Sequence, residues 1–241
     1  MTRPIDSFDA VLFDLDGVLT PTAEIHRAAW KRTFDDFLRS RTGNDFDPFT
    51  IDDYLRYVDG KPRYDGVRSF LESRGISLPE GDPDDDPAFD TIAAVGNAKN
   101  AAFTDVLDEG GVDPYPGSIR LLDHLEARGT AVAVVSSSAN ADAVLEAAGL
   151  RARFDVLIDG VVARERRLDG KPAPDTYLAG ASDLGVGAAD AVVVEDAISG
   201  VQAGTAGGFG LVVGVDREGT ARQMRAAGAD VVVEDLVELL P

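Results

Sequence analysis

The chain has 241 residues, 44% of them hydrophobic, enough for a sizeable buried core in one or two domains, which excludes global disorder. A formal net charge of -20 excludes nucleic-acid binding through a broad positive surface. The chain has no cysteine, which excludes disulfides, thiolate catalysis and zinc–sulfur sites, and its two histidines, His26 and His124, exclude a histidine-rich metal centre.

The first ten residues, MTRPIDSFDA, carry no apolar signal segment, and no apolar run approaches the ~20 residues of a membrane span. A soluble, cytoplasmic, monomeric protein is expected, with neither nucleic acid nor membrane as partner. The first predicted strand is AVLFD (10–14), which runs directly into DLDG (14–17). A carboxylate beside a buried strand needs a partner, a hydrogen-bond network or a metal. Helix-leaning sequence follows. In residues 23–40, Ile25, Ala29, Trp30, Phe34, Phe37 and Leu38 recur at helical spacing. Further helices are predicted over 66–76 and 89–111. Between them PEGDPDDDPAFD (79–90) has six acidic residues and no basic one, the pattern of a solvated surface loop. Valine-rich runs then recur at 130–136, 154–160, 190–196, 210–216 and 230–235, with helical patterns between most of them. Such runs suit strands covered on both faces, so the fold class is α/β, with a parallel sheet, crossover helices and a helical domain inserted after the first strand. Proline and glycine at 19–23 and 111–117 suit the two connections.

In an open parallel sheet the carboxyl ends of the strands share one edge, where ligands bind. Asp14 and Asp16 end the first strand, Ser136, Ser137 and Ser138 the second, and Glu195 and Asp196 the fourth; Lys171 stands just before a helix opened near Pro174. Taken singly, each has a structural explanation, such as a serine capping a helix. Together, the hard oxygens of Asp14, Glu195 and Asp196 suit magnesium (Mg2+), and a cation with Lys171 and Ser136 would cradle a phosphate. Asp14 is then the candidate nucleophile and Asp16 the acid/base, its protonated form favoured by neighbouring negative charge. Gly17 allows a sharp turn and leaves room for substrate.

With DLDGVLT (14–20), Ser136, Lys171 and EDAISG (195–200) in register, the chain resembles the haloacid dehalogenase superfamily of phosphotransferases, and within it the beta-phosphoglucomutase subfamily. The resemblance implies a three-layer Rossmann-like core with a central parallel sheet over residues 1–21 and 115–241, and an inserted helical cap over 22–114. It implies Asp14 as aspartyl nucleophile and Asp16 as acid/base. The implied magnesium ligands are Asp14, the backbone oxygen of Asp16, and Asp196, with Glu195 beside them. Ser136 and Lys171 would take the phosphate. In the cap, Thr22, His26 and Lys99 match a relay acting on Asp16, and Arg63 in VDGKPR (58–63) matches an arginine gripping the distal phosphate. Ser138 and Asn140 match a loop touching that same phosphate. Two positions depart from the subfamily pattern: Ala139 stands where mutases often carry lysine, and Pro21 where a related mutase has an acid.

The implied activity is a sugar phosphomutase converting beta-D-glucose 1-phosphate to glucose 6-phosphate through an aspartyl phosphate and a bisphosphorylated sugar. The rival within the superfamily is a magnesium-dependent sugar phosphate monoester hydrolase. A non-catalytic domain retaining the fold is the other class. Structural explanations stand beside the implied roles in the cap. His26 would be a core histidine, Lys99 a surface lysine, Arg63 a loop arginine and Trp30 a wedge between helices.

Overall fold

The structure, a computed structural model, describes residues 3–241. In chain order the elements are β1 (Ala10–Phe13), α1 (Thr22–Thr42), α2 (Ile51–Tyr57), α3 (Arg63–Ser73), α4 (Ile92–Gly110), α5 (Pro116–Arg128), β2 (Ala131–Val135), α6 (Ala141–Ala147), β3 (Val156–Ile158), α7 (Gly160–Arg166), α8 (Asp175–Asp183), β4 (Ala191–Glu195), α9 (Ile198–Ala206), β5 (Leu211–Val215), α10 (Ala221–Ala227) and β6 (Val231–Val233). They form two compact units, one of residues 1–21 and 112–241, the other of 22–111.

The first unit is built on a six-stranded parallel sheet of order β3-β2-β1-β4-β5-β6. All six valine-rich runs form strands. β1, β4 and β5 are buried along their whole length, as strands covered on both faces must be. One face carries Leu12, Val135, Ile158 and Val193, packed with Tyr177 of α8, Val201 of α9 and Met224 of α10. α5 packs on β2. Each large apolar side chain removed from water in this core stabilises the fold by about 1.5–3 kcal/mol. Local chemistry sets the helix ends. Pro116 opens α5, where a missing N–H is harmless, and Gly129 closes it in the left-handed region. Asp159 caps α7 by accepting from the amides of Val161 and Val162. No helix among the described residues is long and apolar enough to cross a membrane.

The second unit has its own core of Trp30, Phe34, Phe37, Phe49, Val67, Phe70 and Val95. Trp30 is buried and stacked on Phe34 of the same helix at 5.0 Å, and its ring lies beside Gly66 of α3 and 5.2 Å from the Lys99 ammonium of α4, so it packs between helices. The three expected helices are present with shifted ends: α1 begins at Thr22, α3 at Arg63 and α4 at Ile92. α2 is additional to them. Its seven residues carry too short an apolar repeat to read, but a capping box of Thr50 and Asp53 starts it. Residues 79–90 are an almost wholly exposed loop, tied back where Arg68 meets Glu80 at 2.7 Å.

Candidate active site

The site of the first unit grows from the carboxyl ends of β1, β2 and β4. The amide of Asp14 donates to the carbonyl of Val194 at 2.9 Å, extending the β1–β4 ladder by one residue. That bond fixes the root of a side chain whose residue is only 7% exposed. Lys171 reaches the same place from the loop before α8. Its ammonium donates to Asp14 Oδ1 at 2.6 Å, to Glu195 Oε1 at 2.6 Å and to the carbonyl of Val135 at 3.0 Å. An ammonium has three donors, so Lys171 spends one on the end of each of three adjacent strands, β2, β1 and β4.

Glu195 is fully buried and fully engaged. Oε1 also accepts from the Tyr177 hydroxyl at 3.1 Å, and Oε2 accepts from the amide of Ala197 at 2.9 Å. Tyr177 further presents its ring to the Lys171 ammonium, 4.8 Å from the ring centroid. A Cβ at Gly200 would come within 1.7 Å of Glu195 Oε1, so the first turn of α9 must be bare there. Oxygens of Asp14, Glu195 and Asp196 lie within 4.8 Å of one another.

Burial raises the Asp14 carboxyl well above the carboxylate range, with Glu195 and Asp16 adding to the effect and Lys171 opposing it. Burial alone would lower the Lys171 ammonium, but Asp14 and Glu195 outweigh it and hold the group charged. Tyr177 is raised by burial and then by Glu195, and stays a phenol that can donate. Three carboxylates around a single ammonium leave surplus negative charge. All the available ligands are hard oxygens, so the residues fit a small divalent cation such as magnesium.

The turn after β1 is closed on itself. Gly17 has φ +83°, which favours glycine, and its amide donates to the carbonyl of Thr20 at 2.7 Å. A Cβ there would lie 1.8 Å from Asp196 Oδ2, so the bare backbone lets that carboxylate approach. Asp16, half-buried, pairs with Thr20 in an isolated bridge. After β2, Ser136 Oγ accepts from the amide of Ser138 at 3.1 Å, and Ser138 Oγ from the amide of Asn140 at 3.1 Å. The serine hydroxyls shape this loop. The Asn140 side chain makes no capping bond to α6. Ser137 lies between them, its carbonyl only 2.8 Å from where a Cβ at Gly160 would stand.

The candidate residues of the second unit form their own arrangement. Thr22 is buried at the first position of α1. His26 Nδ1 and the Lys99 ammonium are hydrogen-bonded, and His26 stacks on Phe103 with ring centroids 3.9 Å apart. Lys99 is 3% exposed, its ammonium 5.2 Å from the Trp30 ring centroid and 4.9 Å from that of Phe103. It is therefore no surface lysine. Arg63 donates to Asn97 Oδ1 at 3.3 Å and to Asn100 Oδ1 at 2.7 Å, so α4 holds its fork. Tyr177, Asn97 and Asn100 escape sequence reasoning. Tyr177 reads as an ordinary core position, and the two asparagines flank Lys99 in NAKNAAF (97–103), where only the lysine stands out.

A family model for haloacid dehalogenase-like hydrolases matches residues 8–208. A beta-phosphoglucomutase of Mycobacterium bovis is 52% identical over 238 residues, covering 96% of this chain and 91% of its own length. Among solved structures, CbbY from Rhodobacter sphaeroides in complex with phosphate aligns with a TM-score of 0.72 and 27% identity, over 97% of this chain and 96% of that one. A beta-phosphoglucomutase from Clostridium difficile shares the fold, with a TM-score of 0.76 and 23% identity over 96% of this chain and 93% of that one. The chain belongs to the haloacid dehalogenase-like hydrolase family, and within it to the enzymes of the beta-phosphoglucomutase type.

Proposed function

We propose that the protein is a sugar phosphomutase that converts beta-D-glucose 1-phosphate to glucose 6-phosphate through an aspartyl phosphate and a bisphosphorylated sugar. The observation that carries the phosphoryl chemistry is the Lys171 ammonium, 2.6 Å from both Asp14 and Glu195. The choice of sugar is supported by the 52% identity to the mycobacterial beta-phosphoglucomutase.

In this reading residues 1–21 and 115–241 are the phosphotransferase core and 22–114 a helical cap. Asp14 attacks phosphorus as the carboxylate and becomes the acyl phosphate. Its raised pKa disfavours that anion until positive charge arrives at the site. Lys171, already bonded to Asp14, offsets part of the effect of burial, and a bound cation would supply the rest; Glu195 and Tyr177 keep Lys171 in place. Magnesium held by Asp14, the Asp16 carbonyl and Asp196, beside Glu195, would neutralise the non-bridging oxygens as charge moves between them. Asp16 takes the proton from the attacking sugar hydroxyl and returns it to the leaving one. Ser136 and Ser137 bind the reacting phosphate. Arg63, Ser138 and Asn140 bind the phosphate that is not reacting, and Asn97 and Asn100 pre-orient the Arg63 fork. Thr22, His26 and Lys99 control when Asp16 is competent, which limits attack by water.

The test is product identity. With magnesium and a trace of glucose 1,6-bisphosphate, beta-D-glucose 1-phosphate should yield glucose 6-phosphate. Stoichiometric release of inorganic phosphate instead would assign the enzyme to the hydrolases of its family.

A further inference from the structure

Arg217 stands in the loop after β5, outside every motif, and its contacts converge on the catalytic turn. Its Nε–H donates to the carbonyl of Gly17 at 2.8 Å. One terminal amino group, Nη1, donates to the carbonyl of Glu234, just past β6, at 2.8 Å. The guanidinium carbon lies 4.0 Å from the ring centroid of Tyr115, a stacking distance. The loop that presents it is itself fixed. The amide of Asp216 donates to the carbonyl of Val233 at 2.8 Å, and the Asp216 carboxylate accepts from the amides of Thr220 and Ala221.

The sheet order gives this contact its meaning. β4 lies between β1 and β5, so an arginine rooted after β5 reaches the turn after β1 only by crossing the end of β4. That end carries Asp196, whose carboxylate packs against the bare Cα of Gly17. Gly17 is thus held by its amide to Thr20, by its carbonyl to Arg217, and against Asp196 by the absence of a Cβ. A planar guanidinium suits this task. It is always charged, its donors have fixed directions, and its face can stack while its edge binds two carbonyls.

We infer that Arg217 is a positioning residue for phosphoryl transfer: by clamping the Gly17 carbonyl it fixes the turn that presents Asp16 and keeps that turn seated on Asp196. The inference deepens the proposed function and rests on it for the role of Asp16. It predicts that Arg217 acts on the rate of chemistry and on metal affinity more than on substrate affinity or folding. Outer contacts of this kind typically change activity or metal affinity by about 10–100-fold.

The experiment compares the full-length wild type with Arg217→Ala and Arg217→Lys. Both glucose 6-phosphate formation and phosphate release from beta-D-glucose 1-phosphate are followed over a range of substrate concentrations up to saturation, alongside magnesium titration by calorimetry and thermal melting. Arg217→Ala should lower kcat by about tenfold or more with KM changed less than about threefold, and weaken magnesium binding in parallel. Arg217→Lys, which retains one donor for the Gly17 carbonyl, should recover part of both losses. If Arg217→Ala melts earlier yet keeps kcat and magnesium affinity within about twofold of wild type, the inference is overturned and Arg217 is only a structural tie. So is it if Arg217→Lys behaves like Arg217→Ala. A wild type that releases phosphate without forming glucose 6-phosphate would sink the mutase reading, while kcat and metal affinity would still decide the role of Arg217.

Discussion

Lys171 and Glu195 meet at 2.6 Å with each side chain only 1% exposed, so this ion pair has no access to water as a substitute partner. Removing one member of a buried pair leaves a charge stranded, at a cost of about 3–5 kcal/mol. Lys171→Met should therefore lower unfolding stability by that order, measured by urea denaturation without metal, and abolish turnover. The double variant Lys171→Met, Glu195→Gln should regain part of the stability and none of the activity.

Asp14 gives a pH prediction with a definite sign. Its folded-state pKa is raised, chiefly by burial, so the folded state holds the proton more tightly than the unfolded chain. Its contribution to stability is fully present below the ordinary carboxylate pKa, about 4. It is lost as pH climbs from there through the raised value. In metal-free protein Asp14→Asn should be inactive yet melt higher than wild type near neutral pH, with the gap narrowing on acidification. Paired thermal melts across that range would check it, and a gap that widened toward acid would contradict the assignment.

Gly17→Ala places a methyl group where Asp196 Oδ2 now lies and keeps a residue at φ +83° that only glycine adopts freely. The backbone penalty alone is about 1–2 kcal/mol. Relief by moving Asp196 would pull it from Asp14. Magnesium affinity, by calorimetry, should fall by more than the change in melting temperature suggests. Gly43→Ala has a similar φ and open space around it, and so provides the control for backbone strain.

His26→Ala removes one hydrogen-bond partner of the buried Lys99 ammonium, which lies near the Trp30 and Phe103 rings. If the pair governs Asp16, mutase turnover should fall about 10–100-fold, while phosphorylation of Asp14, followed in a single turnover, falls less. Equal loss of both steps would remove the relay from the mechanism.

Asn100→Ala tests the support of Arg63. Losing the 2.7 Å bond removes one support of the fork. KM for the sugar phosphate should rise by about 3–10-fold with kcat less affected, since the bond helps hold an arginine assigned to binding.

How much of this was legible in the sequence depends on the range of each interaction. The six strands are readable as short apolar runs, most of them rich in valine, because most of each strand is covered by helices, and Asp14, Asp16, Glu195 and Asp196 stand out as carboxylates at the ends of such runs. The helix over 51–57 was not, because two turns are too few to show a period, although Thr50 and Asp53 marked its start. Tyr177 looks apolar in a helix; only the approach of Glu195 turns its hydroxyl into a functional group. Arg217 was invisible for a different reason. Its partners, Gly17, Tyr115 and Glu234, are contributed by three distant parts of the chain, two of them through backbone carbonyls that any residue possesses.

The position of β1 between β2 and β4 also governs the order of events during synthesis. β1 must wait for Ala131 on one side and Ala191 on the other before both its edges are satisfied. Pairings this distant in the chain are slow to close. Lys171 follows Asp14 by 157 residues, and Glu195 and Asp196 come later still, so Asp14 stays without these partners until β4 has been made. Any truncation upstream of Glu195 should therefore be inert however well its helical insert folds.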